Sequence, residues 1–419
     1  MKKVLVIAPI LSRSGYGVHA RFIVDALASR PDLYDLHVHP LNWGTSSWLM
    51  EDTHEEKFYK FLINKKELYT GQYDISLQVT VPTEWVQAAK INIGVTAGVE
   101  TDIIPQDWVT TANGMNKVIV TSQHTANTFR NTKYEVKANH NDEVLSLIGV
   151  KQPVEVIGYP VRTVTPTDLS DQLKLDYDFN FLSVTQLAPR KNVESMLKWF
   201  VEEFRNEKVG IVLKCHAGNN STPDRFLSED MLRRFVSSLG ERTCKVYHIH
   251  GSMSDEDLHG LYVHPKIQAY TTTTHGEGFG LPIFEAAYSG LPVIAPAWSG
   301  HQDFLCIPRK MKNGKEKRQT YYEKVPVQVA PVQQEAYMKG IILPEMKWAY
   351  PQENKFKRAM RSVFENIKSK RRTAATLQKY ILETFTEENQ FARVCDAVWD
   401  AAHNEKTEWA DKMDEVQVI

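Results

Sequence analysis

Residues 267–287 read IQAYTTTTHGEGFGLPIFEAA, and the order of residue types in this stretch decides the fold class. Ile267 to Thr271 is a short apolar run of good strand formers. Gly276, Gly278 and Gly280 then interrupt any regular structure and let the backbone approach a ligand closely. Pro282 suits the first position of a helix, where its missing N–H is no loss, and the segment Pro282 to Tyr288 reads as that helix. A strand feeding a glycine loop and a helix is the repeating piece of a parallel α/β sheet. The free N–H groups of the first helical turn, together with the helix dipole, favour an anion in front of it, and a diphosphate fits best. Glu285 lies about one turn inside, leaning back toward that end, where its carboxylate can accept from ribose hydroxyls. Glu277 sits on the loop and can accept from sugar hydroxyls.

The same alternation extends outward in both directions. Strands are expected at Phe179 to Val184, Gly210 to Cys215, Lys245 to His250 and Pro292 to Ala295, with helices at Val193 to Phe204, Met231 to Leu239 and Asp255 to Tyr262. An earlier series occupies Val4 to Ala8, Leu36 to His39, Asp74 to Val79, Ile91 to Val95, Val118 to Thr121 and Val154 to Ile157, with a helix at Val18 to Ala28. Between the two series, Arg162 to Asp178 is polar and aperiodic, as a linker is. The fold class is therefore α/β. An N-terminal Rossmann-like domain over 1–162 and a second over 163–353 are expected to face each other, with a helical C-terminal segment over 354–419 packing back toward the first. A length of 419 residues agrees with more than one domain and excludes a single small binding module. Two such halves place a ligand site where their strand ends meet.

Composition removes other classes. Apolar residues make up 42% and the formal net charge is −1, so the chain is globular and carries no field of one sign to name a partner. Lys2 and Lys3 ahead of an apolar run imitate a signal peptide, but Pro9 and the polar Ser12-Arg13-Ser14 end the run too early, and a buried first strand is the better reading. No stretch approaches the length of a membrane helix. Cys215, Cys244, Cys306 and Cys395 lack ligand spacing and fit free thiols in a reducing compartment, so a cytoplasmic location is expected, with peripheral membrane contact left open. Gly15, Gly17 and Ala20 spell the GxGxxA of a dinucleotide loop. The second strand ends in His39-Pro40-Leu41-Asn42, with no acid for a ribose, which argues against a nicotinamide cofactor. Asp176-Tyr177-Asp178 spells a metal-binding DxD but lies in the linker, so no metal is expected.

The context HGEGFGLPIFEA, with Glu277 and Glu285 separated by seven residues, resembles nucleotide-sugar-dependent glycosyltransferases of the GT-B fold, in particular the large retaining family 4. The segment FLSVTQLAPRKNVESMLKWFVEEF, residues 181–204, is similar to that family's strand and loop carrying an Arg and a Lys. The resemblance implies that Arg190 and Lys191 stabilise the charge growing on a leaving diphosphate, and that Glu277 acts with them. Many relatives have arginine where this chain has Gln186. It further implies that His275, Gly278, Phe279, Gly280, Leu281, Glu285 and Ile249 bind the donor, with Gly15 and Gly17 contributing from the first domain. Glu100 and Tyr16 then fall on the acceptor side, and the turn Trp298 to Phe304 supports the site.

The implied activity is transfer of a hexose from a nucleoside diphosphate sugar, as co-substrate without a further cofactor, to a glycan, a lipid-linked sugar or a small molecule. Two basic clusters leave room for another partner. Residues 309–318 hold six basic residues and one acid, and Lys355 to Arg372 hold eight and one. Docking at DNA or an anionic membrane through Arg309 to Arg318 and Lys355 to Arg372 is the corresponding expectation, and glycosylation of hydroxylated DNA bases is the function that would use it. A sugar-nucleotide epimerase shares the fold and would turn over the donor without any acceptor. A non-catalytic nucleotide-sugar-binding module would show donor affinity and no product. A glycosidase using Glu277 and Glu285 as its pair is disfavoured, because Glu285 lies within a helix behind a phosphate-shaped loop. The acidic stretch Glu405 to Glu415 reads as a solvated tail.

Overall fold

The computed structural model describes residues 1–137, 144–311 and 314–414, with residue 137 and the last eleven described by backbone alone. The chain divides into two compact units. The first comprises 1–99, 103–160 and 387–419; the second comprises Glu100–Asp102 and Val161–Thr386. The helical tail expected as one piece over 354–419 is thus shared between them, parting after Thr386.

The first unit contains β1 (Lys2–Ala8), α1 (Gly15–Ala28), β2 (Tyr34–Pro40), α2 (His54–Glu67), β3 (Ile75–Val79), β4 (Ile91–Thr96), α3 (Gln106–Asn113), β5 (Lys117–Val120), α4 (Gln123–Asn131), β6 (Lys133–Lys137), β7 (Val144–Gly149) and β8 (Val154–Val156). Its six-stranded parallel sheet runs β2-β1-β3-β4-β5-β8, while β6 and β7 pair separately as an antiparallel hairpin. β3 and β4 are buried along their whole length, which explains why they read as continuous apolar runs rather than alternating ones.

The second unit contains β9 (Asn180–Gln186), α5 (Val193–Phe204), β10 (Gly210–His216), α6 (Thr222–Ser238), β11 (Lys245–Ile249), α7 (Asp255–Val263), β12 (Ile267–Thr271), α8 (Leu281–Tyr288), β13 (Val293–Pro296), α9 (Gln302–Leu305), β14 (Cys306–Lys310), β15 (Glu316–Thr320), β16 (Glu323–Val325), β17 (Val327–Pro331), β18 (Lys347–Pro351), α10 (Glu353–Glu365) and α11 (Ile367–Thr384). The remaining helix, α12 (Glu387–Asp414), returns to the first unit and packs on α1. The parallel sheet here runs β11-β10-β9-β12-β13-β16. Its core is built from Phe181, Phe200, Phe204, Ile211 and Leu213, closed by Phe356 and Met360 of α10. α5 is held there by the 3.6-residue spacing of Met196, Phe200 and Phe204, all buried.

The two sheets differ in topology. Counting only the strands of each sheet, the second unit follows the Rossmann order 3-2-1-4-5-6 and the first the flavodoxin-like order 2-1-3-4-5-6. The expected pair of Rossmann-like halves is therefore a pair of doubly wound sheets with distinct switch points. These lie between β1 and β3 in the first unit and between β9 and β12 in the second. Three antiparallel hairpins, β6–β7, β14–β15 and β17–β18, and the short strand β16 were not expected from the sequence.

Candidate functional site

The second unit's switch point gathers the charged residues singled out in the sequence. β9 ends in a 3-10 turn, Pro189–Lys191, and Asn192 follows in the left-handed conformation (φ 52°). β12 ends in the loop 272–280. The two loops are stitched together by backbone: the N–H of His275 donates to the carbonyl of Arg190 at 2.8 Å. Arg190 returns the contact, its guanidinium donating to the Gly276 carbonyl at 2.7 Å.

Four ionised groups meet here. Lys191 Nζ lies 2.6 Å from Glu277 Oε1, and Arg190 Nη1 lies 3.2 Å from Glu277 Oε2 and 3.0 Å from Glu100 Oε1. All four side chains are shielded, with 25% of Arg190, 16% of Glu100, 12% of Lys191 and 10% of Glu277 exposed. Burial alone would raise the Glu277 carboxyl, but Lys191 and then Arg190 outweigh it and hold it at about 2. Glu100 goes the other way: burial lifts it above the usual carboxylate range, Arg190 opposes that, and Glu277 adds to it. Burial lowers Lys191, helped by its cationic neighbour Arg190. Glu277 is thus the fixed anion of the group and Glu100 the one closest to giving up its charge.

The backbone supports are specific. The Glu277 N–H donates to Ser299 Oγ at 2.8 Å, and the Gly300 N–H donates to the Glu277 carbonyl at 3.0 Å. Ser299 holds φ at 76°, a conformation that costs a non-glycine residue energy and that these two bonds fix. The neighbouring Trp298 donates Nε1–H to the Glu100 carbonyl at 3.1 Å. A Cβ on Gly276 would stand 2.6 Å from Glu100 Cβ, so glycine is needed there for Glu100 to come so near. Gly280, at φ 96°, turns the chain into α8, which begins at Leu281 with Pro282 second, one residue earlier than expected. No side chain caps that helix, which leaves its first-turn N–H groups facing the loop end.

Other predicted residues have different surroundings. His275 is buried: it donates Nδ1–H to the Ala349 carbonyl at 2.7 Å and stacks on Trp348 with ring centroids 4.8 Å apart. Burial pushes it down to about 4, so it is a neutral brace between the loop and β18. The Phe279 ring packs against Phe284 and Phe304, which makes it a core anchor. The Glu285 carboxylate accepts from Tyr262 Oη at 2.8 Å and, with Arg162, His259 and Tyr288, lines a small pocket beside α7. Burial raises it, against that hydrogen bond. Tyr262 carries no sequence signal beyond its helical spacing and was not singled out. Ile249 ends β11, and its neighbour His250 contacts Asp224 at 3.1 Å. Gln186 lies at the end of β9, with Nε2 3.4 Å from His216 Nε2.

In the first unit, Ser14 caps α1 by accepting from the Gly17 N–H at 3.1 Å. A Cβ on Gly17 would fall 1.9 Å from the Ser12 carbonyl oxygen, whereas Gly15 has open space around it. Tyr16 Oη bonds Thr96 Oγ1 at 2.8 Å, tying the start of α1 to the end of β4. Glu100, expected like Tyr16 on the acceptor side, packs with the second unit, beside Arg190.

The DxD carboxylates are engaged by lysines: Asp176 by Lys245 at 2.6 Å and Asp178 by Lys266 at 3.5 Å. Among the described residues no group of three His, Cys, Asp or Glu could hold a metal ion, and no helix is long and apolar enough to cross a membrane. In the cluster Lys355 to Arg372, three of the eight basic residues form internal pairs, Lys357 with Glu202 (2.5 Å), Arg361 with Glu203 and Glu207 (both 2.7 Å) and Lys370 with Glu323 (2.6 Å). The cluster 309–318 forms the exposed β14–β15 ribbon, with Lys312 and Asn313 outside the described residues. The side chains of 405–415 also lie outside them.

Two doubly wound units, one with cations and carboxylates at its switch point, define a GT-B fold. Residues 166–306 match the family model described as Glycosyl transferases group 1, so the second unit carries a glycosyltransferase domain. Sucrose-phosphate synthase from Thermosynechococcus elongatus shares the fold with a TM-score of 0.61 and 14% identity, over 94% of this chain and 98% of that one. Anabaena HepE, solved with UDP and glucose, matches with a TM-score of 0.60 and 15% identity, over 96% and 100%. The E. coli trehalose-6-phosphate protein bound to UDP-2-fluoro glucose matches at 0.57 and 11%, over 94% and 99%. No curated protein matches the chain by sequence.

Proposed function

We propose that the protein is a retaining, metal-independent glycosyltransferase of family 4, moving a hexose from a nucleoside diphosphate sugar to a hydroxyl acceptor. The observation that carries this reading is the clamp of Glu277 between Lys191 and Arg190, within the matched glycosyltransferase segment. The two cations, with the uncapped first turn of α8, supply positive charge where a leaving diphosphate would accumulate negative charge. Glu277, kept ionised, accepts hydroxyls of the donor sugar, and Glu285 accepts those of the ribose. As the donor's bond from C1 to the diphosphate oxygen breaks, the acceptor oxygen bonds to C1 on the same face and its proton passes to the leaving diphosphate. Catalysis is then electrostatic and positional. Tyr16, Gly15 and Gly17 are assigned to the acceptor and to the outer part of the donor.

The acceptor classes are a glycan, a lipid-linked sugar or a small molecule. The β14–β15 ribbon keeps a DNA or anionic-membrane contact as a subsidiary reading, for which its strands expose Arg309, Lys310, Lys317 and Arg318. Four buried free cysteines are in keeping with a cytoplasmic location. A thermal-shift panel of UDP, GDP, ADP and their glucose conjugates tests the donor assignment, since a ligand that binds only the folded state raises Tm. UDP comes first because HepE is solved with UDP and glucose. A rise with one nucleotide series, followed by sugar transfer from that donor to added acceptors, is the expected result. Donor turnover without any acceptor would indicate an epimerase, and binding without product a non-catalytic module.

A further inference from the structure

Glu100 is an unusual fourth member of the charged cluster. It comes from a three-residue strap, Glu100-Thr101-Asp102, that packs with the second unit although the chain on either side belongs to the first. The strap is pinned at each residue. Trp298 Nε1–H holds the Glu100 carbonyl, and Thr101 Oγ1 contacts Met346 Sδ at 3.5 Å. Asp102 exchanges bonds with the Lys347 backbone, its N–H donating to the Lys347 carbonyl at 3.0 Å and Oδ1 accepting from the Lys347 N–H at 2.8 Å. Gly276 has no side chain where Glu100 Cβ would collide with one. A carboxylate is thereby delivered to Arg190 at 3.0 Å.

The charge count gives this meaning. Two cations and two carboxylates sum to zero, and each cation already has a carboxylate partner. A nucleoside diphosphate sugar brings two more negative charges. If both carboxylates stayed ionised beside Arg190 and Lys191, four negative charges would face two positive ones in a shielded place, where like charges repel strongly. One carboxylate has to release its cation, and Glu277 is held by two. Glu100 has one.

We propose that Glu100 is a resident counter-ion that occupies Arg190 in the empty enzyme and competes with the donor's diphosphate for it, leaving the guanidinium when donor binds. This rests on the donor reading above. It makes Glu100 a residue that sets donor affinity and its pH dependence, rather than an acceptor contact. The groups facing Glu100 are Arg190 and Lys191 from the 3-10 turn and Glu277 from the loop after β12, with His275 beside Arg190 neutral above about pH 4. Burial raises Glu100, so of the four ionised groups it is the one that takes up a proton first as pH falls from neutrality. Protonation ends its competition for Arg190, and donor affinity should therefore rise toward acid, by at most about one decade per pH unit.

Calorimetric titration of UDP-glucose provides the test, with GDP- and ADP-glucose tried next should UDP-glucose fail to bind. The sugar ester is the right probe because it lacks the terminal phosphate group that titrates near about pH 6. In the wild type, binding should tighten between about pH 7.5 and about pH 5.5 and take up a proton, read as a difference in apparent enthalpy between buffers of different ionisation heat. Glu100→Gln should bind roughly tenfold tighter than wild type at neutral pH, lose most of that proton uptake, and flatten the pH profile. Weaker binding by Glu100→Gln, or an unchanged profile, overturns the proposal and leaves Glu100 as a structural partner of Arg190. The wild-type proton uptake needs no variant, so misfolding of Glu100→Gln does not remove the test. Absence of binding to any of the three nucleotide sugars would instead count against the donor reading itself.

Discussion

Both units are doubly wound sheets, yet their switch points are furnished in opposite ways. In the second, the loops after β9 and β12 carry Arg190, Lys191 and Glu277, and the strap adds Glu100. In the first, the loop after β1 offers Ser12, Ser14, Gly15 and Gly17, and the carboxylate after β3, that of Glu84, is bonded to Thr80 Oγ1. One end of one sheet can hold a strongly charged ligand; at the other, Arg13 is paired with Glu51 and Arg21 is bonded to the loop's own carbonyls, so hydroxyls, glycines and backbone are set beside charges already matched within the unit. The same topological device therefore does not imply the same chemistry, and the residues decorating the loop decide it. The charged switch point is expected to respond to substitution in turnover, and the neutral one in stability.

The largest effect should come from Lys191→Ala. It removes one of two charges opposite the leaving group and breaks a buried 2.6 Å pair with Glu277. Turnover should fall by about 10²-fold, with donor affinity changed only modestly, because the charge that matters grows as the glycosidic bond breaks. Steady-state kinetics beside a melting curve read this out. Unchanged turnover in a folded variant would exclude Lys191 from the chemistry.

Gly17→Ala comes next and acts on the other side of the comparison. Its new Cβ would meet the Ser12 carbonyl oxygen at 1.9 Å, and backbone cannot yield as a flexible side chain does. The first unit should lose about 2 kcal/mol or more. A lowered Tm is the expected pattern, with nucleotide affinity of the folded fraction reduced far less than by loss of Arg190. Gly15→Ala, with open space around Gly15, serves as its control. Equal losses from the two substitutions would mean that the loop is held by something other than this close approach.

Much of this organisation was legible beforehand, for identifiable reasons. Strands buried on both faces, such as β3, β4 and β12, advertise themselves as apolar runs, and glycines at forced positions mark the loops between them. α6 was half visible: Leu232 and Val236 are buried, but the turns before Met231 expose Phe226 and Leu227 and carry no apolar stripe to read. The β14–β15 ribbon looked like solvated charge, since strand formation there depends on cross-strand pairing and little on residue type. At the site, Arg190, Lys191 and Glu277 were found through their motifs. His275 and Phe279 lie in the same motif but are turned into packing, a distinction that only the tertiary neighbours Trp348, Ala349 and Phe304 make. The position of Glu100 could not be read at all, because it depends on a strap that leaves one unit for three residues.

The smallest expected effect distinguishes bracing from chemistry at the neutral switch point. Tyr16→Phe keeps the ring, packed at a tilt against Trp43 with centroids 4.2 Å apart, and removes only the hydroxyl that meets Thr96 Oγ1 at 2.8 Å and accepts from the Ala97 N–H at 3.3 Å. If Tyr16 only ties α1 to the end of β4, the loss is that of one or two hydrogen bonds in a partly buried place, about 1 kcal/mol, and it appears in Tm alone. If the hydroxyl also touches the acceptor, KM for the acceptor rises while donor affinity, measured without acceptor, stays where it was. A fall in donor affinity as large as that from a site cation would contradict the division drawn here, since it would give the tyrosine hydroxyl at the start of α1 the work assigned to Arg190 and Lys191.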